Sequence, residues 1–194
     1  MKSYFLEKVR VSGVTSWTGL VSSLIALIAS FTIMVEKVRL LGDPDYVTSC
    51  SVNAIFSCSP VMSSPQAAVF FGIPNPLLGI AGFSVVACIF FVSFFVRLPR
   101  FVWVLNTLGV LLALVFCFWL ATQALYSINA ICIYCFVVWI MTSVLFWFGL
   151  KPLLKGTRFE DWQMWVPLGL FGTVAAFLVM IFSAFTDYWL SFFS

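Results

Sequence analysis

Charge-free apolar stretches alternate along this chain with short clusters of charge. Residues 11–35, 46–96, 101–150 and 162–186 contain no Asp, Glu, Lys or Arg. A helix that crosses a membrane needs ~20 mostly apolar residues at ~1.5 Å of rise each. The first and last stretches are therefore one span each. As a single helix, 101–150 would run about 75 Å, more than twice the bilayer core, so it must fold back. The break falls at the polar cluster Gln123 to Asn129. The stretch 46–96 opens with Ser, Thr, Asn, Pro and Cys and becomes continuously apolar only after Pro76. The pattern predicts five spans at about 11–35, 76–96, 101–123, 130–150 and 164–186, with a long loop over 36–75. This is an all-α membrane protein, read as a single membrane domain over residues 1–194. The first stretch exceeds the ~7–15-residue core of a signal peptide and lacks a small-residue cleavage site, so it reads as an uncleaved anchor.

Composition narrows the function classes. Of 194 residues, 63% are hydrophobic and 9% charged, far from the ~25% charged residues of a soluble domain. Ten Lys and Arg against seven Asp and Glu leave +3 with no basic block, which excludes nucleic-acid binding. There is no His, hence no imidazole base and no His metal ligand. The expected span interiors carry no charge, which argues against an ion channel, a proton pump or a transporter of charged substrates.

Basic residues set the orientation. Lys2, Lys8 and Arg10, then Arg97 and Arg100, then Lys151, Lys155 and Arg158 fall in three segments that five spans place on one side. Lys37 and Arg39, on the other side, are offset by Glu36, Asp43 and Asp45. The N-terminus is therefore expected in the cytoplasm. The 36–75 loop, the 124–129 turn and the C-terminus are expected outside.

This topology sorts the six cysteines. Cys88 and Cys117 fall mid-span, where a free Cys acts as a small buried hydrophobe. Cys50 and Cys58 fall in the outer loop, and Cys132 and Cys135 open the fourth span. All four lie on the side where disulfides persist. Cys132-Ile-Tyr-Cys135 puts two thiols on one helix face, near a helix N-terminus that favours a thiolate. Asn129 or Ser127 is expected to cap that helix. As a mere staple the pair is weak, because so short a loop removes little unfolded-state entropy. Zinc fits poorly, because the seven-residue gap between Cys50 and Cys58 exceeds the usual ~2–4, so no metal is expected. After Cys58, Pro60 suits a first helical turn. Val61, Met62 and the 67–71 run predict a short interfacial helix covering the mouth of the bundle. A flexible disulfide loop beside a buried Cys-x-x-Cys suggests a relay, outer pair to inner pair. The outer pair would meet a protein partner and the inner pair something in the membrane, among span walls of Phe, Trp, Leu and Val.

These residues resemble the vitamin K epoxide reductase family, including bacterial members that support disulfide formation. The matching parts are Cys50 and Cys58, the following Ser63-Ser64, Asn75-Pro-Leu-Leu-Gly79 at the head of the second span, and Cys132-x-x-Cys135. They cover about residues 15–150. The resemblance implies a four-helix transmembrane bundle around a quinone, menaquinone or ubiquinone, with the fifth helix outside it. It implies that a separate thioredoxin-like (DsbA-type) partner delivers electrons to Cys50–Cys58, that Cys58 exchanges with Cys132, and that Cys135 reduces the quinone. It assigns Asn75 to a quinone oxygen and Ser64 to support of the site. The family's Tyr, four residues after the second Cys in the human-type enzyme, is Trp139 here, kept as a pocket wall. An indole can donate a hydrogen bond but cannot relay a proton as a phenol can, which favours a bacterial quinone reductase over epoxide reduction. The implied location is the bacterial inner membrane, with the site facing outward. The alternatives are a vitamin K epoxide reductase proper and a non-enzymatic membrane protein stapled by disulfides. Enzymes of the DsbB type place the Cys-x-x-Cys before the loop pair, the reverse of the order here.

Overall fold

The computed structural model describes residues 6–43, 45–51, 53, 55–155 and 164–186. Lys2, Arg158 and the C-terminal residues from 187 lie outside them. Five helices are long and apolar enough to cross a membrane, so the chain is a multi-pass membrane protein. They are α1 (Gly13–Gly42), α3 (Asn75–Val92), α4 (Arg100–Thr122), α5 (Ile133–Leu154) and α6 (Val166–Ala184). A short α2 (Cys58–Ser63) and a 3-10 turn (Pro65–Ala68) precede α3. Antiparallel β1 (Lys8–Val9) and β2 (Leu98–Pro99) pair at one end of the bundle.

The five helices match the predicted spans in number and place, but α1 does not stop at residue 35. It continues seven residues further, through Glu36, Lys37 and Arg39. These charges follow the expected span on the same helix, and Glu36 and Lys37 are buried. The outer loop is shortened accordingly. The predicted break at 123–129 is also displaced. α4 passes into a π-helical turn over Gln123–Ile128, and the chain turns only at Asn129, which is left-handed at φ 57°. The predicted cover helix is two pieces. α2 begins at Cys58 rather than Pro60, and the chain bends at Ser64. Residues 69–73 are not helical, because Phe71 and Gly72 take positive φ and fold Phe70 back onto Ile73.

α1 begins at Ser12, whose hydroxyl accepts the Thr15 N–H. Its buried face is Gly19, Ser22, Ser23, Ala26, Ala29 and Ser30, small residues that let helices approach without lipid-like bulk between them. The Phe90 ring of α3 lies directly on Gly19 and packs edge-on against Trp103 of α4, with centroids 5.4 Å apart. α1 packs along α3 and α5, α4 packs along α5, and α6 lies against α5. The α3 and α4 backbones approach each other less closely, meeting through side chains such as Phe90 and Trp103, so the helices form an open arc with a gap between these two.

At the β1–β2 end, buried Arg100 pairs with Glu7 at 3.4 Å and donates to the carbonyls of Leu153 and Lys155. Lys155 Nζ reaches the Arg10 carbonyl. The N-terminal segment, the 97–100 turn and the end of α5 thus meet at one end, as the basic residues suggested. Cys117 is buried as expected. Cys88 is exposed on the outside of the bundle rather than buried as expected.

Candidate functional site

The opposite end of the bundle gathers the remaining four cysteines. Cys50 and Cys58 are joined by a disulfide, with Cα atoms 5.7 Å apart. Cys132 and Cys135 are free thiols. Cys58 Sγ lies 3.0 Å from Cys132 Sγ. The sulfurs of Cys50, Cys58 and Cys132 all lie within 4.8 Å of one another. A thiol held against a disulfide sulfur in this way is placed for exchange, which proceeds by thiolate attack through a mixed disulfide.

Backbone pairing fixes this approach. The Ile131 N–H donates to the Ile55 carbonyl at 2.7 Å, and the Ser57 N–H donates to the Ile131 carbonyl at 3.1 Å. The disulfide loop is thereby zipped to the strand-like segment just before Cys132. Neither Ser127 nor Asn129 caps α5, contrary to expectation. Cys132 itself is the N-cap residue, because residues 130–131 run extended in this bridge. Asn129 reverses the chain instead, and Ser127 donates to Gln123. Inside the loop, Asn53 Oδ1 accepts the N–H groups of Ile55 and Phe56. Thr48 hydrogen-bonds Ser51 and Ser59, and Ser51 bonds Ser57. The carboxylate of Glu36 accepts the Ser49 N–H at 3.1 Å. These bonds tether the described residues of the loop, and Cys50 (3% exposed) and Cys58 (0%) are both buried.

Cys132 stands one residue before its span, beside two N–H groups of the α5 N-terminus. Its pKa is held below the ordinary thiol value, first by the hydrogen bond from the Cys135 thiol and then by the N–H groups of Cys135 and Tyr134, against the burial that pushes it up. Free N–H groups at a helix start stabilise negative charge.

Beyond the sulfurs lies a cavity of 850 Å³, predominantly apolar, between α3, α4 and α5. Cys132, Cys135 and Trp139 line it from α5 and its N-cap, Asn75 from the head of α3, and Ser64 from the bend after α2. All five come together there, with the Cys50–Cys58 pair behind Cys132. The side chain of Asn75 also ties the 3-10 turn to α3. Its Nδ2 donates to the Gln66 carbonyl at 2.7 Å and its Oδ1 accepts the Val69 N–H at 3.2 Å. The hydroxyl of Ser64 turns back to the Val61 carbonyl.

Residues 17–150 match the vitamin K epoxide reductase family. The chain belongs to the vitamin K epoxide reductase family. No curated protein matches it closely enough to count as a relative. The vitamin K epoxide reductase family is a family of membrane oxidoreductases that work on disulfides and use quinones. α6 lies beyond the matched residues, yet it reaches the cavity wall: Phe177 is sandwiched between Phe118 and Trp139, with ring centroids 4.1 Å and 5.4 Å away. Phe185, just past α6, packs with Ile55 and Ile131.

Sequence reasoning missed four contributors: Glu36, Lys37, the Ile55–Ile131 bridge and Phe177. Only Lys37 carried a local signal. It continues the Ser30, Ile33 face of α1 at helical spacing, and all three residues line the cavity.

Proposed function

We propose that this protein is a membrane thiol oxidase and quinone reductase that passes electrons from a thioredoxin-like partner outside the cytoplasm to a quinone in the membrane, and so supports disulfide formation. The whole chain, 1–194, works as one domain in a bacterial inner membrane, with the cysteine end facing outward. The observation that carries the reading is the 3.0 Å approach of Cys58 Sγ to Cys132 Sγ, with Cys135 on the wall of an apolar cavity.

The partner's dithiol reduces Cys50–Cys58 by two successive exchanges and leaves as a disulfide. Because both sulfurs are buried, the loop must first release its bridge to Ile131. The Cys58 thiolate then attacks Cys132 of an oxidised Cys132–Cys135 pair. The old disulfide breaks, and closure of Cys50–Cys58 leaves two thiols inside. The arrangement seen here, outer pair joined and inner pair reduced, is the one that follows this transfer. A bound quinone supplies the sink for two electrons and two protons. The cavity fits such a group, being walled by apolar side chains with Asn75 and Ser64 at one end. Asn75 keeps one N–H for a ring oxygen, since its other donor and its acceptor hold the turn. Trp139 serves as a flat wall.

The test is quinone reduction by a reduced thioredoxin-like partner. Cys135→Ala is expected to abolish it, and undiminished turnover would sink the proposal. A disulfide-stapled structural protein would reduce no quinone at all.

A further inference from the structure

The outer end of the cavity holds a buried cation for which the cysteine relay has no task. Lys37 lies on α1 one turn beyond Ile33, is 8% exposed and lines the cavity together with Cys135 and Asn75. Ile33 packs in the cluster of Cys50, Cys58 and Cys132 that Cys135 borders. Lys37 Nζ donates to the Ala67 carbonyl at 3.4 Å, while Asn75 Nδ2 donates to the carbonyl of the preceding residue, Gln66. Two donors from different helices thus hold adjacent carbonyls of one turn. An ammonium has three N–H groups and an amide two, so both keep hydrogens to spare.

Among the described residues, nothing beside Lys37 neutralises it. Among the described residues no carboxylate lies within ion-pair distance of its ammonium. Neighbouring Glu36 is turned to the Ser49 N–H and to Arg39. The buried Oε1 of Gln66, also on the lining, has no partner. It can accept a hydrogen bond but cannot balance charge. A cation in an apolar membrane cavity is costly unless an opposite charge meets it.

We propose that Lys37 is the electrostatic partner of a ring oxygen in this cavity, selecting a ligand whose oxygen carries or takes up negative charge. The inference rests on the quinone reading and adds a residue that it lacked. In the reduction, Cys132 and Cys135 lose two electrons and two protons as their S–S bond forms, and the quinone gains both to become the hydroquinone. Negative charge builds on the ring oxygen as the electrons leave sulfur. A fixed ammonium there stabilises that charge without reorganising, and Lys37 ends the reaction with the proton it began with.

Two probes separate charge from shape: naphthoquinone, which is neutral, and hydroxynaphthoquinone, which is ionised at neutral pH. Binding to the intact chain is read by quenching of tryptophan fluorescence. Wild type is expected to prefer the ionised probe. Lys37→Gln keeps a donor for the Ala67 carbonyl but removes the charge. It is expected to weaken the ionised probe about tenfold or more, the scale of one charge-assisted hydrogen bond, while leaving the neutral probe nearly unchanged. Lys37→Arg is expected to keep the preference, and Lys37→Gln to lower the turnover number on the order of 100-fold. Equal loss on both probes, or loss on neither, would overturn the proposal and leave Lys37 as an anchor for the turn. Failure of wild type to bind the neutral probe would instead overturn the quinone reading itself.

Discussion

The ring of Phe177 lies 13° from parallel to that of Trp139, with centroids 5.4 Å apart. One is on the helix beyond the family match and the other on the cavity wall, so α6 backs the pocket that the first four spans enclose. Aromatic pairs of this kind contribute about 0.5–1.5 kcal/mol beyond the area they bury. Phe177→Ala is expected to cost roughly 3–5 kcal/mol and to raise the KM for quinone, with the exchange between Cys58 and Cys132 little changed. Phe177→Leu is expected to recover most of the stability. Stopped-flow exchange alongside steady-state quinone reduction checks this; equal slowing of both would mean that α6 only holds the fold.

The close pair of sulfurs gives a second expectation. In the Cys50→Ala, Cys135→Ala double variant, Cys58 and Cys132 are the two cysteines left in this cluster. Mild oxidation is expected to join them, and the cross-linked peptide appears after non-reducing digestion and mass spectrometry. A product dominated by intermolecular dimers would contradict the 3.0 Å approach.

A third concerns pH. The hydrogen bond from Cys135 lowers the pKa of Cys132, so its thiolate is populated at lower pH than the ordinary thiol value allows. In a Cys50→Ala, Cys58→Ala background, alkylation of Cys132 by a small permeant reagent should rise through a midpoint below that value. Adding Cys135→Ala removes the main cause and should move the midpoint upward. A midpoint that does not move would show the hydrogen bond to be irrelevant.

Gly19 and Gly13, both in α1, make a fourth comparison. A Cβ at Gly19 would overlap the Phe90 ring, whereas one at Gly13 meets nothing within 4 Å. Gly19→Ala is expected to destabilise the protein by about 1–3 kcal/mol through overpacking. Gly13→Ala should leave the melting temperature unchanged or slightly raised. Thermal unfolding in detergent reads both.

The sequence made the spans legible because charge is so costly in lipid that its placement marks their ends. It did not reveal that α1 runs past residue 35, since that extension is held by packing and by Glu36 reaching back to Ser49. The cysteine pairs, Asn75, Ser64 and Trp139 could be named from motif order. Their common cavity could not, because it exists only where α3, α4 and α5 come together in space, which no local pattern encodes. The cap on α5 was misassigned for a related reason: Ile131 pairs with Ile55 across 76 positions of sequence, and that pairing overrides the local preference of Asn129.

The gap between α3 and α4 also decides how the cavity is supplied. Leu78, Val85, Leu105 and Leu112 line it and are themselves exposed on the outside of the bundle, so the cavity opens sideways toward acyl chains. A reactant arriving by that route is dissolved in the bilayer, and its availability is a mole fraction of lipid rather than a molarity in water. Diluting the membrane with inert lipid should therefore slow the reaction even when the amount of reactant per volume of sample is constant. Lengthening an apolar tail on the reactant should matter mainly through partitioning.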